Sequence, residues 1–244
     1  LTVIDKTVKA VNENHDIEIQ IDKLDLNDEK TYKLFADGHT IGVFQFESAG
    51  MREYLKQLKP TQIGDLIAMN ALYRPGPMQN IPEFIARKQG KNKITYLYPS
   101  LESILKETYG IIVYQEQVME ISRTIGGFTL AQGDMMRRAM GKKKADLMAA
   151  FKVDFVSGAV KIGIKQKLAV EIFDLLERFA QYGFNKSHST AYALVAYQTA
   201  WLKTHYPAEF LAANMNTEMN DIDRIVILIN EARESGIKIK PPDV

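Results

Sequence analysis

Apolar residues recur at helical spacing along most of this chain, and glycines and prolines cut that pattern into short lengths. Leu1, Ile4, Val8 and Val11 share one helical face at the start. Asn27, Asp28 and Glu29 offer the N-terminus of a second helix that stops near Gly38. Ser48 caps a third through Leu58, and Pro60-Thr61 restarts the chain as a fourth through Tyr73. Arg74-Pro75-Gly76-Pro77 must break that fourth helix, because each proline removes a donor and restricts the residue before it. Ser100 opens a helix with Leu101, Ile104 and Leu105 on one face, ended by Gly110. Residues 115–125, 145–160 and 166–181 read as further helices. Another starts at Ser187 or Ser189 and runs to about Tyr206, and Asn220 caps a last one over residues 221–235. Residues 17–21 (I-E-I-Q-I) alternate as a short strand or an extended link, and residues 44–48 (F-Q-F-E-S) have strand-like alternation ending in a cap. The expectation is a mainly α-helical fold with very little β structure and no fixed-period repeat.

Within this frame the most unusual stretch is residues 127–144, G-F-T-L-A-Q-G-D-M-M-R-R-A-M-G-K-K-K. Thr129 and Gln132 have capping-box spacing, which predicts a helix from there toward Gly141. Arg137, Arg138, Lys142, Lys143 and Lys144 place five cations in eight residues with no acid among them. The whole chain is only +1, with 31 basic and 30 acidic residues, so the cluster is a local concentration. Arg138 and Lys142 fall on one helical face, with Arg137 about 100° from Arg138. Fixed cations arranged in this way suit a polyanion or a triphosphate. The plainer alternative is a solvated basic helix end, favourable to the macrodipole by a few tenths of a kcal/mol.

A second unusual stretch is Tyr182-Gly183-Phe184-Asn185-Lys186-Ser187-His188-Ser189. A glycine turn at a helix N-terminus puts backbone amides and a positive dipole end beside Lys186 and His188, which can hold a phosphate. Tyr182 or Phe184 could then stack on a base. The plainer reading, favoured for this stretch taken alone, is a capped helix whose aromatics fill a core. Arg74, in its proline-rich turn, is a further candidate phosphate contact, although such turns more often only redirect the chain. Glu47 is either a cap-side carboxylate or a polar contact, and for Glu116 a first-turn helix role is the simpler explanation.

Other chemistries find little support. The chain has no cysteine, which excludes disulfides and thiolate metal sites and fits a reducing cytosol. Its four histidines show no paired metal spacing, Asp221-Ile222-Asp223 sits where an acidic first turn is expected, and no P-loop pattern occurs. No apolar run approaches the roughly 20 residues needed to span a bilayer. Leu1 in place of methionine, and an end at Lys240-Pro-Pro-Asp-Val, lead to the expectation of a piece of a longer polypeptide.

Five segments carry a resemblance: F-Q-F-E-S at 44–48, A-L-Y-R-P-G-P-M at 71–78, Y-G-I-I-V-Y-Q-E-Q-V-M at 109–119, M-R-R-A-M-G-K-K-K at 136–144 and Y-G-F-N-K-S-H-S-T-A-Y-A at 182–193. In this order and at these separations the chain closely resembles the bacterial DNA polymerase III alpha subunits, the replicative C-family DNA polymerases. The similarity is strongest over residues 42–207. It implies a multi-helix fingers domain over residues 41–244, with residues 1–40 a palm-proximal linker and the start of the fingers. In that family the fingers bind the incoming deoxynucleoside triphosphate (dNTP) and close on the nascent base pair during template-directed DNA synthesis. The arginine pair maps onto Arg137 and Arg138 as triphosphate contacts, with Lys142, Lys143 and Lys144 extending the positive surface. Tyr182, Asn185, Lys186 and His188 match the second motif and would line the same pocket.

The resemblance also implies what lies elsewhere. No catalytic residue and no metal ligand are expected here, because the family's metal-binding aspartates belong to the palm, where Mg2+ acts. The parent would be a DNA-directed DNA polymerase of the cytoplasm, working on primer–template DNA with the sliding clamp and other replisome subunits. The isolated piece would be inactive. A different class of reading is a stand-alone helical nucleic-acid-binding module without enzymatic activity, which predicts tight, salt-dependent binding by the chain itself. Near-neutral net charge argues against it.

Overall fold

The computed structural model describes residues 1–141, 145–180 and 182–240. Among them are thirteen α-helices and no β-strand, so the chain is mainly α as its periodicity predicts. In chain order they are α1 (Thr2–His15), α2 (Glu29–Ala36), α3 (Ala49–Leu58), α4 (Ile63–Leu72), α5 (Ile81–Lys88), α6 (Glu102–Leu105), α7 (Gln115–Thr124), α8 (Leu130–Gly141), α9 (Ala145–Lys161), α10 (Gln166–Ala180), α11 (Lys186–His205), α12 (Pro207–Thr217) and α13 (Ile222–Glu234). Two compact units divide the chain: Leu1–Leu66 with Ala191–Val244, and Ile67–Thr190. Passage between them falls within α4 and within α11.

The first unit packs α1 against α12 and α12 against α13, around Ile4, Leu202, Phe210, Leu211 and Leu228. The predicted caps form: Asp28 accepts from the Thr31 N–H at 3.2 Å, and Ser48 from the Met51 N–H at 3.3 Å. Lys203 is buried in this unit, where its ammonium donates to Glu231 at 2.6 Å and to the carbonyls of His39 and Ile41 at 2.7 and 2.8 Å. Three acceptors match the three protons of the ammonium, which is how a cation survives in a core. Glu47, undecided from sequence, accepts from the Gly42 N–H at 2.9 Å and from Arg224 at 2.6 Å.

Four helices, α7 to α10, form the heart of the second unit, around Phe128, Met136, Phe155, Phe173 and Leu176. Backbones approach closely where α9 passes Gly126, just beyond the end of α7. A Cβ added to Gly158 would lie 1.9 Å from the carbonyl oxygen of Gly126, so only hydrogen fits there. The predicted capping box on α8 is present. Thr129 Oγ1 accepts from the Gln132 N–H at 3.2 Å, and Gln132 Oε1 accepts from the Thr129 N–H at 2.9 Å.

Several local expectations are corrected. Residues 44–48 are not a strand: Gln45 takes a left-handed φ of 63°, and the segment turns before Ser48. Of the two readings of residues 17–21 the strand is the one that fails: residues 17–20 are a link without regular structure that leads into a 3-10 turn, Ile21–Lys23. The helix expected from Ser100 is split into 3-10 turns flanking a four-residue α6, because the chain tightens before Tyr109 and Gly110, both at positive φ. Asp221, not Asn220, caps α13 through the Arg224 N–H at 3.0 Å. Helix α11 begins at Lys186, ahead of both candidate serines, because Asn185 caps it: its Oδ1 accepts from the His188 N–H at 2.8 Å.

Candidate functional site

Both unusual stretches lie in the second unit, and the segment 113–117 joins them. Its sequence V-Y-Q-E-Q gives each polar side chain a different task. Gln117 is buried and faces inward, where its Oε1 accepts from the Val113 and Tyr114 N–H groups at 2.8 and 3.0 Å. Its Nε2 donates to Thr108 Oγ1 at 2.9 Å, fixing the turn before α7. Glu116 is more than a first-turn acid. Its two oxygens accept from Asn185 Nδ2 at 2.7 Å and from the Lys186 N–H at 3.0 Å, so it satisfies the first turn of α11. Gln115 reaches in two directions. Its Nε2 donates to the Gly183 carbonyl at 2.9 Å, and its Oε1 accepts from Arg137 at 3.1 Å.

Backbone pairing reinforces this junction. The Gln115 N–H donates to the Phe184 carbonyl at 2.9 Å, the Phe184 N–H donates to the Val113 carbonyl at 3.4 Å, and Tyr114 and Phe184 form a parallel β-bridge. The approach is close, since a Cβ on Gly183 would lie 3.2 Å from Gln115 Cγ.

Arg137 and Arg138 share one carboxylate. Arg137 donates to Asp134 through Nε at 3.0 Å and through a terminal nitrogen at 2.7 Å, and Arg138 Nε pairs with the other Asp134 oxygen at 2.8 Å. These hydrogen bonds, from Arg137 first, hold the Asp134 carboxyl below its usual range. The two cations differ in exposure: 29% for the Arg137 side chain and 68% for Arg138. Arg137 is the anchored member, aimed at Gln115, whereas Arg138 is largely solvated. Lys142, Lys143 and Lys144 lie outside the described residues.

The Arg74 turn docks on the second motif. Arg74 donates from Nε to the Ala71 carbonyl at 3.1 Å and from a terminal nitrogen to the Tyr182 carbonyl at 3.0 Å. Its guanidinium carbon sits 4.1 Å from the centroid of the Phe184 ring, a cation–π contact. Burial lowers the Arg74 pKa from its ordinary value, though an arginine so placed stays charged. Gly76, at φ 99°, makes room for Tyr182: a Cβ there would lie 2.5 Å from the ring. Lys186 is paired as well. Its ammonium donates to both Glu107 oxygens, at 2.6 and 2.8 Å, and lies 5.4 Å from the Tyr114 ring centroid. The His188 ring stands edge-on to Phe184, with centroids 5.2 Å apart.

Of the expected site residues, Arg74, Arg137, Tyr182, Asn185, Lys186 and His188 therefore belong to one connected cluster, with Arg138 attached through Asp134. Sequence reasoning missed Gln115, Asp134 and Glu107. Asp134 had a signal, since acids three and four residues before arginines pair on a helix. Gln115 stands in one of the motif segments, but nothing local pointed to its partners or to that of Glu107, because these lie far along the chain. Among the described residues no three His, Asp or Glu side chains come together as ligands for a metal ion. No helix among them is long and apolar enough to cross a membrane.

Geometry thus defines a helical domain in which two cationic, glycine-flanked segments are bound together through one amide. Residues 1–163, about two thirds of the chain, match the model of the bacterial DNA polymerase III alpha subunit finger domain, and the chain belongs to that family. Among similar proteins, the DNA polymerase III subunit alpha of Xylella fastidiosa is 52% identical over 249 residues, which cover 100% of this chain and 21% of that protein. The same subunit of Borreliella burgdorferi is 52% identical over 227 residues, 93% of this chain and 20% of the relative. That of Halalkalibacterium halodurans is 48% identical over 244 residues, 100% and 22%. The chain spans about a fifth of the length of these curated relatives.

Proposed function

We propose that this fingers domain binds the triphosphate of an incoming dNTP and closes on the nascent base pair in a template-directed DNA polymerase. Arg137 and Arg138 are the principal phosphate contacts, with Lys142, Lys143 and Lys144 continuing the positive surface. Tyr182, Asn185, Lys186 and His188, braced by Arg74, form the facing wall. The observation that carries this reading is the Arg137–Gln115–Gly183 connection, which joins the two cationic segments into one site. Asp134 acts as an internal counter-ion for both guanidiniums until a more highly charged triphosphate competes for them.

In this proposal the bond-making step belongs to the palm of the longer parent polymerase. Carboxylates outside this chain would hold Mg2+ there, and the metal would supply Lewis-acid chemistry for the phosphoryl transfer. Residues 1–40 are the palm-proximal linker and the start of the fingers, and the chain by itself is inactive. The parent works in the cytoplasm on primer–template DNA, beside the sliding clamp and other replisome subunits. Single-turnover incorporation by the full-length polymerase carrying Arg137→Ala and Arg138→Ala tests the assignment. Losing two charge-assisted contacts should weaken dNTP binding by about a hundredfold or more. An unchanged dNTP dependence would refute it.

A further inference from the structure

We infer that Gln115 is a positioning residue for nucleotide binding, coupling Arg137 on α8 to the glycine turn that begins α11; this rests on the proposed role of Arg137. Three features support it. Gln115 uses both ends of its amide at once, accepting from Arg137 at 3.1 Å and donating to the Gly183 carbonyl at 2.9 Å, while its backbone N–H holds the Phe184 carbonyl. Among side chains of this length only a glutamine both accepts and donates in this way: a glutamate has no donor for Gly183, and a lysine has no acceptor for Arg137. Finally, Arg137 has two anchors, Asp134 and Gln115, of different kinds. The carboxylate is one that a triphosphate competes with, whereas the neutral amide does not compete for positive charge and keeps its hold after the anion arrives. Gln115 therefore sets where the guanidinium sits in the loaded site, and any shift of the 182–184 segment is passed directly to it.

The test uses the full-length polymerase, with dNTP affinity taken from the concentration dependence of single-turnover incorporation. Gln115→Leu removes both bonds at similar volume and should raise the dNTP Kd about tenfold, the size of one charge-assisted hydrogen bond, with primer–template affinity unchanged and the protein folded by circular dichroism. Gln115→Glu should also weaken dNTP binding, because it breaks the tie to Gly183 and adds negative charge beside the phosphates; it stands in if the leucine variant fails to fold. In an Arg137→Ala background, Gln115→Leu should add little, as expected for a residue acting through that arginine. Wild-type dNTP affinity in either folded Gln115 variant, or full additivity with Arg137→Ala, overturns the inference while leaving the proposed function standing. If Arg137→Ala itself leaves dNTP affinity unchanged, the proposed function fails and the inference fails with it.

Discussion

Two helical glycines in the second unit should respond oppositely to the same substitution. Gly158 lies within α9, Gly133 within α8, and neither has a positive φ. On propensity alone each change to alanine would stabilise by about 0.5–1 kcal/mol. At Gly133 the nearest atoms to a new Cβ are Met119 O at 3.6 Å and Met119 Cα at 3.8 Å, ordinary van der Waals contacts, so the gain should be realised. At Gly158 the new Cβ would lie 1.9 Å from Gly126 O and 2.6 Å from its carbonyl carbon. A carbon–oxygen contact needs about 3.3 Å, so α9 or the end of α7 must move by about 1.4 Å.

Neither side can yield by rotating a side chain, because both are backbone. Gly126 is also tied down, its N–H donating to the Ser122 carbonyl at 3.0 Å. Movement would pull away Phe155, one turn earlier on α9, which is fully buried with its ring tilted 58° to that of Phe173 at a centroid distance of 5.4 Å. Overpacking costs about 1–3 kcal/mol, and an unyielding contact belongs at the upper end, so after the propensity gain Gly158→Ala should destabilise by about 2 kcal/mol. For a chain of this size that lowers the melting temperature by about 4–8 °C, read by far-ultraviolet circular dichroism beside urea titration. A Gly158→Ala protein as stable as wild type, or a Gly133→Ala protein equally damaged, would refute the reasoning.

Other predictions concern the supporting structure. Gly76→Ala forces a side chain into φ 99° and against the Tyr182 ring, and should cost about 1–3 kcal/mol in thermal melts; adding Tyr182→Ala should remove the clash but not the backbone strain. Lys203→Met should cost about 3–5 kcal/mol in urea titration, because it leaves the buried Glu231 carboxylate and two carbonyls without their donor. For Asp28, burial raises the pKa, but hydrogen bonds from Thr31 and His205 outweigh it and hold the carboxyl below its ordinary value. The unfolded chain therefore takes up the proton first as pH falls: Asp28 contributes fully above about pH 4 and its contribution is lost as pH drops through the folded value. Asp28→Asn, which keeps a capping oxygen, should lose less stability than wild type between about pH 5 and about pH 2.

Much of this molecule was written in local sequence. The caps at Asp28, Ser48 and Thr129, and the break at Arg74-Pro75-Gly76-Pro77, depend on groups within a few residues of one another, so type and spacing suffice. The mainly helical class followed from the same short-range rules, and the motif segments carried the family. Errors were local too. Asn185 and Asp221 each displaced a neighbouring residue as the cap, because several polar side chains stood near each helix start and only backbone direction selects between them. The split around α6 accompanies the tight turn at Tyr109 and Gly110, which Gln117 holds through Thr108.

The site itself divides along the same line. Sequence determined that two cationic segments exist, that each abuts a helix end, and that an acid stands one turn before the arginines. Which cations remain available, and what joins them, was decided by folding. Lys186 is held by Glu107, Asn185 and Glu116 are spent on the start of α11, Arg74 braces Tyr182 and Phe184, and Gln115 ties Arg137 to Gly183. Periodicity reports which face of a helix is buried, because that depends on neighbours three and four residues away. Hydrogen bonds between residues 22 to 108 positions apart form only when separate helices are packed, and no local pattern specifies them.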